Sequence, residues 1–325
     1  MKLPRRKFLH LAAGTTALPA VSRIAWAQTY PARPVRLLLG FAAGGPGDTV
    51  VRLMGQWLSE RLGQQFVVEN RLGAGGNIAT EAVVRSPPDG YTLLVVNASN
   101  AINATVYEKL SFNFIRDIAP VAGIMRQFNI LVVHPSVPVA TVPEFIAYTK
   151  ANPGKLSQAV GGVGTPGHVA GEQFKLMTGI NMVSVPYRGG GPAITDLLAG
   201  QVQVYFGPSG ATMDHIRSGR LRALAVTSAA RSELLPDLPA VADFVPDYEA
   251  STWYGIGVPK NTPSEIIDTL NNQINAALAD PKMKTRLGAL GGTMLVGSPT
   301  DFGKLIVNET EKWAKVVRFA DIRAS

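Results

Sequence analysis

Short apolar runs alternate along this chain with amphipathic helical patterns and glycine-rich turns, and this alternation limits most strongly how the chain can fold. One round of the pattern runs from residue 35 to residue 96, and a second begins at residue 129. Repeated strand–loop–helix units are typical of α/β proteins, because parallel strands need a helical crossover between them. We therefore predict an α/β fold with mixed, mainly parallel sheets flanked by helices.

The individual elements follow from the period of the apolar residues. Strands are predicted at residues 35–39, 66–69, 91–96, 129–133, 156–160, 183–185, 202–206, 221–227 and 253–258. Helices are predicted at residues 49–62, 78–85, 142–150, 168–177, 193–199, 263–279, 281–290 and 299–318. Two successive sets of this kind in about 300 residues indicate two lobes.

The lobe boundaries are predicted from the place where the pattern restarts and from the helical end of the chain. The first lobe is expected to contain residues 28–128 and 254–325, and the second lobe residues 129–253. In this arrangement the three terminal helices pack back on the first lobe. The chain then crosses between the lobes twice.

The first 27 residues have the features of an export signal. Arg5 and Arg6 precede a short apolar stretch, and Ala25-Trp26-Ala27 matches a small-residue cleavage site. The paired arginines resemble a twin-arginine signal, although an ordinary secretory signal remains an alternative. We predict cleavage after Ala27 and a periplasmic location.

Charge and cysteine content exclude several classes of protein. The net charge of +8 comes largely from residues 1–27, which hold five of the 31 basic residues and no acid. In the rest of the chain basic residues only slightly outnumber acidic ones and form no runs of lysine or arginine, which argues against nucleic-acid binding. The chain has no cysteine, which excludes disulfides, thiolate metal sites and cysteine nucleophiles.

Three glycine-rich loops, at residues 40–48, 73–77 and 161–168, each lie between a predicted strand and a predicted helix. Unpaired N–H groups and the helix dipole favour an anion at such a junction. The alternative is that these loops only connect elements. The third loop contains a G-x-G-x-x-G pattern but lacks the acidic residue that a dinucleotide site needs about 20 residues later. We therefore predict an anion site without a nucleotide or other cofactor.

Several side chains near these loops are candidates for ligand contact. Asp48 is either the N-cap of the following helix or a residue that orients the loop or binds the ligand. Asn97 and Ser99 follow a strand and could donate to a ligand, or could simply form a turn. His168 could donate to a carboxylate or be structural.

The sequence contains no convincing catalytic or metal-binding arrangement. The three histidines that follow the signal, His134, His168 and His215, are far apart and lack the spacing of a zinc site. Ser209 lies in Gly-Pro-Ser-Gly, which is not a G-x-S-x-G nucleophile elbow. We predict a protein without enzymatic activity and without a metal.

Motifs along the whole chain after the signal resemble the Bug family, the periplasmic solute receptors of tripartite tricarboxylate transporters. The matching segments are 31–36, 41–48, 69–77, 88–93, 161–168, 185–189, 224–227, 253–255 and 262–263. The resemblance implies a two-lobed Venus flytrap fold of type II-like periplasmic binding proteins, with a solute between the lobes. It further implies that the loops at 41–48 and 162–168 hold a ligand carboxylate.

We expect a monomeric receptor that captures a small carboxylate and delivers it to a membrane permease. The alternatives are a sensor module for a histidine kinase ectodomain and, less favoured, a periplasmic hydrolase or isomerase. The predicted ligand-binding residues are Phe41, Ala43, Gly44, Gly45, Asp48, Asn97, Ser99, Gly162, Gly164, Thr165, His168, Tyr187 and Ser209.

Overall fold

The structure is a computed structural model that describes residues 30–324. The predicted export signal lies outside the described residues. The strands are β1 (Val35–Leu39), β2 (Phe66–Asn70), β3 (Thr92–Asn97), β4 (Ile118–Gln127), β5 (Asn129–Val133), β6 (Ser157–Val160), β7 (Val183–Pro186), β8 (Val204–Pro208), β9 (Arg222–Val226), β10 (Thr252–Pro259) and β11 (Gly292–Met294).

Eleven α-helices lie between and after these strands in the described residues. They are α1 (Pro46–Leu62), α2 (Asn77–Val84), α3 (Ala98–Val106), α4 (Phe114–Asp117), α5 (Val142–Ala151), α6 (Pro166–Thr178), α7 (Gly190–Leu198), α8 (Ser209–Arg217), α9 (Ser264–Ala279), α10 (Pro281–Ala289) and α11 (Pro299–Phe319). No helix among the described residues has the length and apolar character needed to cross a membrane.

The strands form two separate sheets. The first has the order β11-β4-β10-β3-β1-β2, and the second has the order β7-β6-β8-β5-β9. Both sheets are mixed, as predicted. Of the nine strand pairings in the described chain, four are parallel and five antiparallel, so parallel pairing does not dominate. The reason is that β4, β5 and β10, at the crossings between the sheets, run antiparallel to their neighbours.

The chain passes from the first sheet to the second at Phe128, between β4 and β5, and returns before β10. Thr252 and Trp253 already pair with β4. They therefore belong to the first sheet, although the sequence placed them at the end of the second lobe.

Three apolar clusters hold the fold together. One cluster lies between the sheets and includes Ile102 of α3, Phe174 of α6, Phe206 of β8 and Trp313 of α11. The other two clusters cover the opposite faces of the first and second sheets. Helix α11 packs on both α3 and α6, so it contacts elements attached to both sheets rather than the first alone.

Most of the predicted elements are present with ends shifted by a few residues. Helices α1 and α6 begin earlier than predicted because a proline stands at their first position, where its missing N–H costs nothing. Strands β4 and β11 and helices α3, α4 and α8 were not predicted. Helix α3 was missed because its sequence, ASNAINATV, is rich in asparagine, and its start depends on a capping box made by Asn97 and Asn100.

Candidate functional site

A cavity of about 620 Å³ opens between the two sheets, and its size suits a small organic ligand. Both crossings of the chain reach it, through Gln127, Asn129 and Thr252. The residues that line it are Phe41, Ala42, Ala43, Gly44, Gly45, Pro46, Gly47, Asp48, Asn97, Ser99, Gln127, Asn129, Gly161, Thr165, Pro166, Gly167, Gly190, Gly191, Ile194, Tyr205, Phe206, Pro208, Ala211, Thr252 and Tyr254.

Four helices begin at this cavity without any side chain capping their first N–H groups. They are α1, α6, α7 and α8, whose N-cap residues are Gly45, Thr165, Gly189 and Pro208. Residues in the first turn of each helix line the cavity. The unpaired N–H groups and the positive ends of four helix dipoles are therefore concentrated around one space.

Helices that begin elsewhere mostly carry a side-chain cap. Thr141 caps α5, Asp280 caps α10 and Ser298 caps α11. Helices α2 and α9, which begin after Gly76 and Pro263, also lack such a cap. Helix α3 begins at the cavity but is capped, since the Asn97 side chain accepts from the Ser99 N–H at 2.9 Å. The missing caps are thus concentrated at the cavity, where a bound anion can take their place.

Two of the glycines at these helix starts are required by packing. A Cβ on Gly47 would lie 2.9 Å from the ring of Tyr254, and one on Gly167 would lie 2.5 Å from the carbonyl oxygen of Phe206. Glycine therefore lets α1 pack closely on β10 and α6 pack closely on β8. This close packing brings the two helix starts to the edge of the cavity.

Asp48 orients the first glycine loop, and it is not the N-cap of α1. One carboxylate oxygen accepts from the Gly44 N–H at 3.0 Å and from Arg52 Nε at 2.8 Å. The other oxygen accepts from Arg52 and from Asn70 Nδ2, which also donates to the Phe41 carbonyl. The N-cap is Gly45 because the helix starts three residues before the position that the sequence suggested.

These contacts predict how acid affects the protein. The hydrogen bond from Arg52, with those from Gly44 and Asn70, lowers the pKa of Asp48 from 3.8 to about 2, against the effect of burial. Because the folded-state pKa is the lower one, Asp48 stabilises the fold fully above about pH 4 and loses this contribution as the pH falls to about 2. We expect Asp48→Asn to remove that part of the pH dependence, with a loss of about 1 kcal/mol at neutral pH, since Arg52 is half-exposed.

Urea unfolding of both proteins between pH 5 and pH 2 measures this effect. Asp268→Asn is the matched control, because Asp268 is an exposed aspartate on α9 and does not line the cavity. Parallel pH curves for wild type and Asp48→Asn would contradict the assignment.

The charge of the cavity wall is unusual for an anion site. Among the lining residues of the described chain Asp48 is the sole carboxylate, and none is lysine, arginine or histidine. Aromatic and aliphatic side chains form much of the remaining wall, including Phe41, Ile194, Tyr205 and Tyr254. Burial raises the pKa of Tyr205 to about 12, so its hydroxyl stays neutral. Helix N-termini thus supply the positive potential of this cavity.

Eight of the predicted ligand-binding residues line this cavity. They are Phe41, Ala43, Gly44, Gly45, Asp48, Asn97, Ser99 and Thr165. The first glycine loop and the segment after β3 come together because β1 and β3 are adjacent parallel strands whose carboxyl ends meet at one edge of the sheet.

Gly162, Gly164 and His168 lie outside the cavity lining, contrary to their predicted place in it. The loop turns toward α3, so that a Cβ on Gly164 would lie 3.5 Å from Val106. His168 Nδ1 accepts from the Gly164 N–H at 3.1 Å, and its ring lines a separate cavity of about 320 Å³ with Glu172 and Lys175. Burial lowers the pKa of His168, so the neutral ring holds the loop.

Tyr187 and Ser209 are also outside the lining. The Tyr187 hydroxyl donates to Asp196 at 2.8 Å, which holds it against α7. Ser209 is buried at the start of α8, where a Cβ on Gly291 would lie 2.5 Å from its hydroxyl oxygen. Both residues lie next to a glycine-containing turn, but neither side chain lines the cavity.

The sequence analysis missed other parts of the site. Gly190 and Gly191 begin α7 after a strand, so the rule that found the other glycine loops could have found this one. Gln127, Asn129 and Thr252 gave no signal, because isolated polar residues next to apolar strands resemble ordinary turn residues. No group of three or more histidine, aspartate or glutamate residues within residues 30–324 is arranged to hold a metal ion.

Comparison with known proteins identifies the family. Residues 50–322 match the model of the tripartite tricarboxylate transporter family receptor. The chain belongs to this family. It is 37% identical to the protein BugT of Bordetella pertussis over 295 residues, which is 90% of each chain.

Solved structures of similar proteins have the same fold. A Rhodopseudomonas palustris protein solved with adipate has a TM-score of 0.82 and 37% identity, covering 90% of this chain and 99% of that one. The periplasmic binding protein BugD has a TM-score of 0.78 and 33% identity, covering 91% and 100%. MatC from Rhodopseudomonas palustris, solved with malate, has a TM-score of 0.77 and 29% identity, covering 89% and 100%.

These relatives confirm the Bug resemblance and the α/β periplasmic binding protein fold. Members of the receptor family are binding proteins and not enzymes, as predicted for this chain. The family is periplasmic, whereas the predicted cleavage after Ala27 lies outside the described residues.

Proposed function

We propose that this receptor captures a small carboxylate in the cavity between its two sheets and delivers it to a membrane permease of the tripartite type. The main support is the set of four uncapped helix N-termini around one cavity. The adipate and malate in two related structures are carboxylates of suitable size. The role in transport follows the family description.

Hydrogen bonds from main-chain N–H groups can supply enough affinity without arginine or lysine. A hydrogen bond to a charged oxygen contributes about 1.5–3 kcal/mol, so four such bonds contribute about 6–12 kcal/mol before the entropic cost of binding. Micromolar affinity needs about 8 kcal/mol. The first turns of α1, α6, α7 and α8 offer at least this number of donors.

We further propose that the two sheets are the cores of two lobes that close on the ligand. Within the described residues the first lobe would comprise residues 30–128 and 252–324 and the second residues 129–251, because Thr252 and Trp253 pair with β4, and the hinges would lie at the two crossings near Phe128 and Thr252. The cavity lies between elements of both sheets, and this placement supports the proposal.

Thermal unfolding of residues 28–325 with a panel of acids tests the proposed function. A carboxylate at 100 times its Kd should add about 2.7 kcal/mol to the free energy of unfolding, which is an increase of several degrees in Tm. The panel includes mono-, di- and tricarboxylates and aromatic acids, with the matching alcohols or amides as uncharged controls. If every acid leaves Tm unchanged, or the uncharged analogues act equally well, the proposal is wrong.

A further inference from the structure

His168 connects the two cavities that the glycine loop at residues 161–168 borders. It is the third residue of α6, and the three residues before it, Thr165, Pro166 and Gly167, line the cavity between the sheets. The His168 side chain instead lines the smaller cavity of about 320 Å³. The sequence marked His168 as a candidate for ligand contact, whereas the structure places its ring against the loop that carries the lining residues.

One hydrogen bond joins the His168 ring to this loop. His168 Nδ1 accepts from the Gly164 N–H at 3.1 Å, and Gly164 directly precedes Thr165, the N-cap of α6. A side chain at the third helical position that accepts from an N–H ahead of the helix fixes the path by which the chain enters the helix, in the manner of a capping box. His168 therefore sets the position of the start of α6.

The start of α6 can offer a ligand only precisely placed main-chain donors. Pro166 has no N–H, so the donors in this first turn are the N–H groups of Gly167 and His168. A hydrogen bond weakens steeply when its donor is misaligned, and a binding site needs its groups held within a fraction of an ångström. A ligand that binds at this helix start consequently depends on the contact that holds the loop.

The charged groups near the His168 ring are already paired. The Glu172 carboxylate contacts Lys175 at 2.7 Å and accepts from Ser184 Oγ at 2.6 Å, and it lies 3.7 Å from His168 Nε2. Helix α3 and strands β6, β7 and β8, which also pack around α6, contain no charged residue. The charged residues that line the smaller cavity with His168 are Glu172, Lys175, Asp321 and Arg323.

This environment favours the neutral ring. Burial lowers the pKa of His168 from its ordinary value of 6.5, and the Lys175 charge adds to this effect, whereas the Glu172 charge opposes it. The ring is therefore neutral at neutral pH and takes up a proton only in acid. Because Nδ1 accepts from Gly164, the proton of the neutral ring is on Nε2.

We propose that His168 positions the start of α6 for the ligand carboxylate, and that it does so only while its Nδ1 is unprotonated. A protonated imidazole carries an N–H on both nitrogens, so Nδ1 would face the Gly164 N–H as a second donor and the loop would have to move. The receptor therefore binds its ligand most tightly with a neutral ring and more weakly in acid. This inference rests on the proposed function, because it presupposes that a carboxylate occupies the cavity between the sheets.

The titratable groups that line the cavity between the sheets keep their charge in the relevant pH range. Among the lining residues of the described chain these are Asp48, Tyr205 and Tyr254. The hydrogen bond from Arg52 lowers the pKa of Asp48 to about 2, and burial raises the pKa of both tyrosines to about 12. A loss of affinity between pH 7.5 and pH 4.5 that depends on residue 168 therefore reports on the His168 ring.

Calorimetric titration of residues 28–325 from pH 7.5 to pH 4.5 tests the inference, with succinate, malate, adipate and benzoate as probes. The proteins are the wild type, His168→Asn and His168→Leu. Asparagine places its Oδ1 near the position of the imidazole Nδ1, so His168→Asn keeps an acceptor for Gly164 but cannot be protonated in this range. Leucine removes the acceptor. The ratio of two Kd values at the same pH cancels the titration of the acid itself.

We expect His168→Asn to bind within about 3-fold of the wild type at pH 7.5 and His168→Leu to bind about 10-fold more weakly. At pH 4.5 the wild type should bind at least about 5-fold more weakly than His168→Asn. The midpoint of this loss should coincide with the pKa of His168 measured by NMR from its ring protons.

His134 provides the matched control. Its Nδ1 also accepts from a main-chain N–H, that of Ser136 at 3.2 Å, but His134 lines neither of the two cavities. His134→Asn and His134→Leu should therefore bind the acids like the wild type and keep its pH dependence.

Each failure has its own signature. If acids bind but the wild type and His168→Asn weaken equally in acid, or if His168→Leu binds as tightly as the wild type, the inference is wrong and the proposed function stands. The same is true if the His134 variants lose the pH dependence as well. If none of the acids binds to the wild-type protein, the proposed function and the inference are both rejected.

Discussion

Aspartate in place of Gly45 is expected to abolish measurable carboxylate binding while making the fold more stable. Gly45 is the N-cap of α1 and has extended backbone angles that any residue can adopt, and a Cβ there has only an ordinary contact with the Ala42 carbonyl. The new carboxylate would accept from the first N–H groups of α1, in the place proposed for the ligand. We expect a loss of at least about 100-fold in affinity, from lost donors and charge repulsion.

Stability is expected to change in the opposite direction. Relative to Gly45→Ala, Gly45→Asp should be about 1 kcal/mol more stable, as found for acidic N-caps. Gly45→Asn separates the two causes, because it caps the helix without adding charge and should lose less affinity. Titration and urea unfolding of the three variants measure both quantities. Normal binding by Gly45→Asp would mean that the ligand does not use the start of α1.

Leucine in place of Glu309 is expected to destabilise the protein by about 3–5 kcal/mol. Glu309 lies on α11 and is 5% exposed. One of its carboxylate oxygens accepts from the indole N–H groups of Trp253 at 3.2 Å and Trp313 at 2.9 Å, and the other contacts Lys312 at 3.1 Å. Leucine would leave two buried indole donors and a partly buried lysine without this partner.

This network also connects α11 to both crossings of the chain. Lys312 contacts Glu249, which precedes β10, and Arg126 of β4 contacts Glu249 at 3.0 Å. Burial would raise the pKa of Glu249, but Lys312 and Arg126 lower it overall. Loss of Glu309 therefore disturbs the segment where the two sheets are joined as well as the packing of one helix.

Glu309→Gln separates the effect of the Glu309 charge from that of its hydrogen bonds, and Glu311→Leu is a control. Glu309→Gln can keep an acceptor for both indoles but loses the charge, so we expect a smaller loss of about 1–2 kcal/mol. Glu311→Leu, at an exposed position on the same helix, should change stability by less than about 0.5 kcal/mol. Urea unfolding gives all three values. A loss below 1 kcal/mol for Glu309→Leu would show that the network contributes little.

Local patterns in the sequence were sufficient to predict most helices and strands and part of the candidate site. The periods of apolar residues predicted most strands and helices, because each reflects which side of one element is buried. Glycine turns before helices marked the starts of α1 and α6, since the chemistry of a helix N-terminus is local. The eight predicted residues that line the cavity follow from this rule and from the shared edge of parallel strands.

The tertiary structure alone decided which of these local features meet. Gly164 and His168 satisfy the same local rule as Gly45, yet Gly164 lies against α3 and His168 lines a separate cavity, although other residues of their loop line the main one. Gln127 and Asn129 have no recognisable motif, and they line the cavity because the chain crosses between the two sheets beside it. Such contacts join residues far apart in the chain, and a local sequence pattern carries no record of which distant atoms will satisfy a polar group or leave it free.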